Sequence, residues 1–154
     1  MTSVGHNFLK LSYLDDGDYE CGLRAEARMG DFAGVGEAWF GIAQVLSFLT
    51  ALAVLSEKLE GAPELVGGFW STSTPSVIQQ INLGIRCYPI SKTGAIGVHI
   101  NLALDPYTGR RDEEVPRVCF ELRTVPGLID RFLLEARTMV NCKAGFATLE
   151  GDVV

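Results

Sequence analysis

A chain of 154 residues, 47% of them hydrophobic and 21% charged, has the length of one ordinary domain and enough apolar content to fill a core, which excludes a disordered chain. Its formal net charge of −6 argues against nucleic acid as a direct partner, because neutralising phosphates needs a basic stripe. An acidic surface can instead steer a basic protein into contact, or simply keep the molecule soluble. The cysteines Cys21, Cys87, Cys119 and Cys142 form no C-x-x-C pair and match no zinc spacing, so they read as reduced thiols of a cytoplasmic protein. Met1 to His6 has neither the basic start nor the apolar run of a signal peptide. The most apolar stretch, Ile42 to Leu55, is interrupted by Gln44, Ser47 and Thr50 and falls short of the ~20 residues that cross a bilayer, so no membrane segment is expected.

Strand periodicity begins at Leu9, where Leu9, Leu11 and Tyr13 alternate with Lys10 and Ser12. Asp15-Asp16-Gly17-Asp18 is a turn signal. The next segment sets Tyr19, Cys21, Leu23, Ala25, Ala27 and Met29 on one face and Glu20, Arg24, Glu26 and Arg28 on the other, the pattern of a strand with one dry and one wet side. Gly30-Asp31 predicts a second turn, and Phe32 to Trp39 a glycine-rich third strand. A helix is predicted over Ile42 to Leu59, with Ile42, Val45, Leu46, Leu49, Leu52, Ala53 and Leu59 on its apolar stripe, Gly61 as C-cap and Pro63 forbidding continuation. Glu64 to Trp70 reads as a short strand and Ser71 to Ser76 as a polar loop.

Three strands then follow one another. Ile81, Leu83, Ile85 and Cys87 oppose Gln80, Asn82 and Arg86; Ile96, Val98, Ile100, Leu102 and Leu104 oppose Gly97, His99 and Asn101; Val118, Phe120 and Leu122 oppose Arg117, Glu121 and Arg123. The loop from Asp105 to Pro116 separates the last two. Thr124 as cap and Pro126 in the first turn start a second helix, with Leu128, Ile129, Phe132, Leu133, Ala136, Met139 and Val140 as its stripe and Asn141 near its end. Ala144 to Leu149 predicts a last short strand. Alternation rather than continuous apolar runs indicates an α+β fold: a single domain over residues 1–154, with its ordered core over about 8–150, built as a two-layer sandwich in which a mostly antiparallel sheet carries two helices on one face.

Chemistry-bearing residues are sparse. The only histidines are His6, in the terminus, and His99, on the wet side of a strand, so no metal-ligand spacing can be assembled and no metal or cofactor is expected. Gly34-Val35-Gly36-Glu37-Ala38-Trp39 begins like a dinucleotide fingerprint, but Trp39 stands where the third glycine belongs, which favours a bent strand entering a helix. Asp15, Asp16, Asp18 and Glu20 lack calcium-loop spacing. Cys119 falls on the polar side beside Arg117 and Glu121, a setting able to lower a thiol pKa, but no motif places a base next to it and a catalytic thiol is not expected.

What remains is the wet face of the sheet. Arg24, Arg28, Arg86, His99, Asn101, Arg117, Glu121 and Arg123, with Glu20 and Glu26, are predicted to share it. Mixed charges of this kind are either a solvated surface or a charge-patterned platform for a protein partner. Gly22, Gly84 and Gly97 would leave shallow places on it for a partner's side chains. Trp39, Phe40, Phe69 and Trp70 are expected at the core or its edge, or, where exposed, at an interface such as that of a homodimer.

The motifs Gly34-Val35-Gly36-Glu37-Ala38-Trp39-Phe40, Gly67-Gly68-Phe69-Trp70-Ser71, Cys87-Tyr88-Pro89-Ile90, Gly94-Ala95-Ile96-Gly97-Val98 and Phe120-Glu121-Leu122, over about Leu9 to Gly151, resemble small bacterial proteins similar to the immunity partners of wall-associated, contact-dependent toxins. The resemblance implies a non-enzymatic cytoplasmic protein that holds a toxin domain, expected to be basic, by occupying its surface. It assigns no residue a role. The alternatives are a small-molecule-binding domain or modest enzyme, with a pocket between sheet and helices into which His99 or Glu121 converges, and a structural homodimer.

Overall fold

Apolar–polar alternation in the first part of the chain is realised as three antiparallel strands, β1 (Phe8–Leu14), β2 (Glu20–Met29) and β3 (Phe32–Gly41). The computed structural model describes residues 6–14, 20–70, 78–104 and 111–151. Leu9, Leu11 and Tyr13 pair with Ala27, Ala25 and Leu23, which pair in turn with Gly34, Gly36 and Ala38, so one dry face runs across the three strands. Gly30 turns β2 into β3 at a φ of 62°, where a side chain would be strained. After β3 come helix α1 (Ile42–Lys58), strands β4 (Glu64–Trp70), β5 (Ile78–Pro89), β6 (Ile96–Ala103) and β7 (Arg117–Thr124), helix α2 (Pro126–Cys142) and strand β8 (Phe146–Glu150).

The fold is α+β with mostly antiparallel sheet, as the alternation implies, but the strands divide between two sheets. One has the order β3-β2-β1-β8 and the other β4-β5-β6-β7, each four-stranded. The chain leaves the first sheet through α1 and returns to its far edge through α2. Alternation dictates which side of a strand is dry and says nothing about which strands are neighbours, so a one-sheet arrangement and this one have the same sequence pattern.

The dry faces of the two sheets meet directly at β3. A Cβ on Gly34 would collide with the Val118 side chain, and one on Gly36 with the backbone oxygen of Asn82. These glycines let β3 lie close on the second sheet, backbone against backbone at Gly36 and backbone against the Val118 side chain at Gly34. The helices pack against the strands and each other, α1 against β2 to β5 and α2 against β1, β8 and α1. Val45, Phe48, Leu49, Leu52 and Leu55 of α1 join Ile129, Phe132, Leu133, Ala136 and Met139 of α2 and the dry side chains of both sheets in one core. Removing this apolar area from water, at about 25 cal/mol per Å², is the main stabilising term.

Departures from the pattern have local causes. Gly67 pairs with Leu83 but Gly68 with Ile81, so β5 carries an extra residue at Asn82. This bulge reverses the expected sides: Asn82 is buried, while Ile81 is only half-buried and lies outside the core. Leu46 and Leu104 are exposed, and Phe48 and Leu55 take the core positions of α1. Helix α1 ends on Leu59 in the left-handed conformation, φ 54°, its N–H bonded to the Leu55 carbonyl 2.8 Å away; Gly61 lies two residues beyond the cap. Thr124 is the last residue of β7 and the cap of α2 is Val125. The Thr124 hydroxyl instead donates to the Glu150 carbonyl at 2.9 Å, tying β7 to β8. The turn at Asp15–Asp18, the loop at Ser71–Ser76 and residues 105–110 of the expected loop lie outside the described residues. No helix among the described residues is long and apolar enough to cross a membrane.

Candidate functional surface

Because the inner faces of the sheets are turned toward a common core, their wet faces point away from it on different sides. The register across β5, β6 and β7 builds the outer face of the second sheet in rows: Gly84, Asn101 and Cys119; then Arg86, His99 and Glu121; then Tyr88, Gly97 and Arg123. Arg117 stands at the end of the β7 column, opposite Ala103, and Glu64 of β4 faces Arg86. Six of the expected partner-binding residues, Arg86, His99, Asn101, Arg117, Glu121 and Arg123, thus share one face. Arg24 and Arg28 do not. They project from β2 in the first sheet, where Arg24 Nη1 lies 3.1 Å from Glu37 Oε1 across the β2–β3 pair. The expected continuous platform is two separate surfaces.

The glycines do not leave hollows. On the second sheet the Tyr88 ring lies across Gly97, where an added Cβ would stand 2.7 Å from it, and Ile81 lies beside Gly84. On the first sheet the Trp39 indole crosses Gly22, with Nε1 2.8 Å from the place of a Cβ. Aromatic side chains fill what the missing side chains leave open, and this accounts for Trp39, which is 42% exposed on this outer face, whereas its neighbour Phe40 is in the core. Phe69 is also exposed.

Packing over Gly97 carries the Tyr88 hydroxyl to Glu121, to whose Oε1 it donates. Partial burial, reinforced by the Glu121 carboxylate, pushes the Tyr88 phenol up to about 12, so the hydroxyl remains a donor at neutral pH. The Arg86 guanidinium stands over the same ring, 5.3 Å from its centroid, and among the described residues it forms no ion pair. Arg117 is engaged by Asp112, with Nη2 2.9 Å from Oδ1, and each holds the other's charged form. Arg86–Tyr88–Glu121 is therefore a stacked and hydrogen-bonded unit that fixes side chains in the middle of an otherwise open sheet face.

His99 and Cys119 lie diagonally across the β6–β7 pair, with Nε2 3.2 Å from Sγ. Alternation puts each residue on the correct side of its strand, but only the register puts a base beside the thiol. The signal was present in the shared parity of His99 and Cys119 and invisible without the pairing. Burial separates the other thiols: Cys21 is pushed up to about 11 and Cys87 to about 12, both on inner faces, whereas Cys119 and Cys142 are exposed. Among the described residues no group of three His, Cys, Asp or Glu side chains is arranged to hold a metal ion.

His99 and Glu121 point away from the helices, so neither converges on a pocket between sheet and helices. A cavity of about 250 Å³ opens where β3 meets β6 and β7, lined by Gly34, Leu102, Leu104 and Val118. Among the described residues its one charged lining residue is Arg117, and none of them is arranged there for proton transfer. The chain matches no protein-family model, no curated protein and no solved structure.

Proposed function

We propose that this chain is a cytoplasmic protein-binding module, of the immunity kind its sequence resembles, that engages a protein partner through the outer face of β5, β6 and β7. The observation that carries the reading is the Arg86–Tyr88–Glu121 unit on a face that neither α1 nor α2 covers. Binding through prepositioned side chains loses less conformational entropy than binding through free ones, and an arginine held on an aromatic ring is ready to fork onto a carboxylate. Charge acts here at two ranges. The net charge of −6 attracts a basic partner from a distance, while Arg86, Arg123 and His99 select acceptors on the part that docks.

Affinity capture of the tagged protein from its host, with mass spectrometry of bound proteins and titration calorimetry on the one recovered, tests this. The expected result is a stoichiometric basic protein whose affinity falls at least ~30-fold in R86E, as for a lost buried charge contact, and is unchanged in R24E on the first sheet. Equal losses in R24E and R86E would move the interface off this face. Recovery of the chain alone would end the tight-binding reading.

A further inference from the structure

The Cys119–His99 pair lies on the same face, and its chemistry differs from that of the charged residues around it. We propose that Cys119 is a reactive thiol that His99 deprotonates, and that it exchanges with small disulfides to leave a mixed disulfide on the outer face of the second sheet. The geometry meets the requirements of that exchange. Sγ and Nε2 are at hydrogen-bonding distance, 3.2 Å, so a proton can pass between them without rearrangement. Cys119 is exposed on β7, an edge strand of the sheet, so an incoming disulfide can reach it from solvent. In the neighbouring row His99 stands between Arg86 of β5 and Glu121 of β7, so charges of both signs flank the imidazole and the base itself, not a nearby cation, activates the thiol.

The Cys119 proton moves to His99 Nε2, and the thiolate attacks one sulfur of the disulfide in line with its S–S bond. A new Sγ–S bond forms as the old S–S bond breaks, and the departing thiolate takes the proton from His99. One protein thiol is oxidised, the disulfide is the oxidant, and one small thiol is released. Cys21 and Cys87 lie on inner faces and cannot reach the product, so it persists until an external thiol removes it. Cys119 is by this reading a site of reversible thiol modification.

Cys142, exposed at the end of α2, provides an internal reference. The folded protein is incubated with glutathione disulfide, quenched in acid at intervals, and each cysteine's mixed disulfide is quantified by peptide mass spectrometry. Cys119 is expected to acquire the glutathionyl group about tenfold faster than Cys142, in keeping with activation by an adjacent base. In H99N, which keeps a polar side chain but cannot take the proton, the Cys119 rate drops to that of Cys142 while Cys142 is unchanged. Equal rates at the two cysteines in the native chain overturn the proposal, whether or not H99N folds. So does an undiminished Cys119 rate in H99N. Neither result depends on a protein partner, so this site and the binding face stand or fall separately.

Discussion

Gly36 is the residue on which the approach of the two sheets turns, because a methyl group there would occupy the place of the Asn82 carbonyl oxygen. That neighbour is backbone and cannot rotate away, so the strain must be relieved by separating β3 from β5. Gly36→Ala is expected to destabilise the protein by about 3 kcal/mol, the upper part of the range for overpacked cores, read as a lower urea midpoint. Gly127, in the first turn of α2 with nothing near its missing Cβ, gives the opposite expectation. Gly127→Ala should stabilise by up to about 1 kcal/mol through helix propensity and a less flexible unfolded chain. If G36A melted like the parent, the direct sheet-to-sheet contact at β3 would be wrong. From the sequence Gly34 and Gly36 read as marks of a bent strand; their use as a contact surface needed the partner strand, which the sequence does not name.

Among the elements, the helices are joined by one polar contact inside an apolar seam. The Ser56 hydroxyl, nearly buried on α1, lies 2.6 Å from Asp130 Oδ1 and 3.2 Å from the Pro126 carbonyl at the start of α2. It has one proton for two acceptors, and the shorter, charge-assisted bond takes most of it. Ser56→Ala removes that donor, while the exposed Asp130 carboxylate can turn to water, so a loss of about 0.5–1.5 kcal/mol is expected by urea unfolding. Asp130→Asn, which keeps an acceptor for the hydroxyl, should cost less; equal losses would show that packing, not the hydrogen bond, matters at Ser56. Strand and helix spans were largely legible because each has one dry side, and the seven-residue stripe of α2 is buried as its spacing implies, apart from the half-buried Leu128. What was not legible depends on register or on neighbours. The bulge at Asn82 reverses two side chains, Leu59 takes over a cap expected of Gly61, and the shared parity of Arg24 and Arg86 hides that they stand on different sheets.

For the whole molecule, burial of thiols in the common core links its stability to alkaline pH. Cys87 titrates at about 12 and Cys21 at about 11 in the folded protein, against an ordinary 9.0, because ionising either would place a thiolate among apolar side chains. Tyr88 shifts the same way, from 10.0 to about 12. Below pH 9 the folded and unfolded chains hold the same protons at these sites and they contribute no slope. Above it the unfolded chain releases protons that the folded one retains, so stability falls as pH rises and goes on falling until the folded values are passed. The urea midpoint is expected to be level from about pH 7 to 8.5 and to decline between about 9 and 11 by this linkage. Cys87→Ala leaves a small void and lowers the midpoint at every pH, but it removes one of the linked groups, so its decline above pH 9 must be shallower than the parent's. Parallel curves for the two proteins would mean that the Cys87 thiol ionises as readily folded as unfolded, which is incompatible with its place between the sheets. Self-repulsion in an acidic chain steepens both curves alike and leaves their difference as the measure of that one buried group.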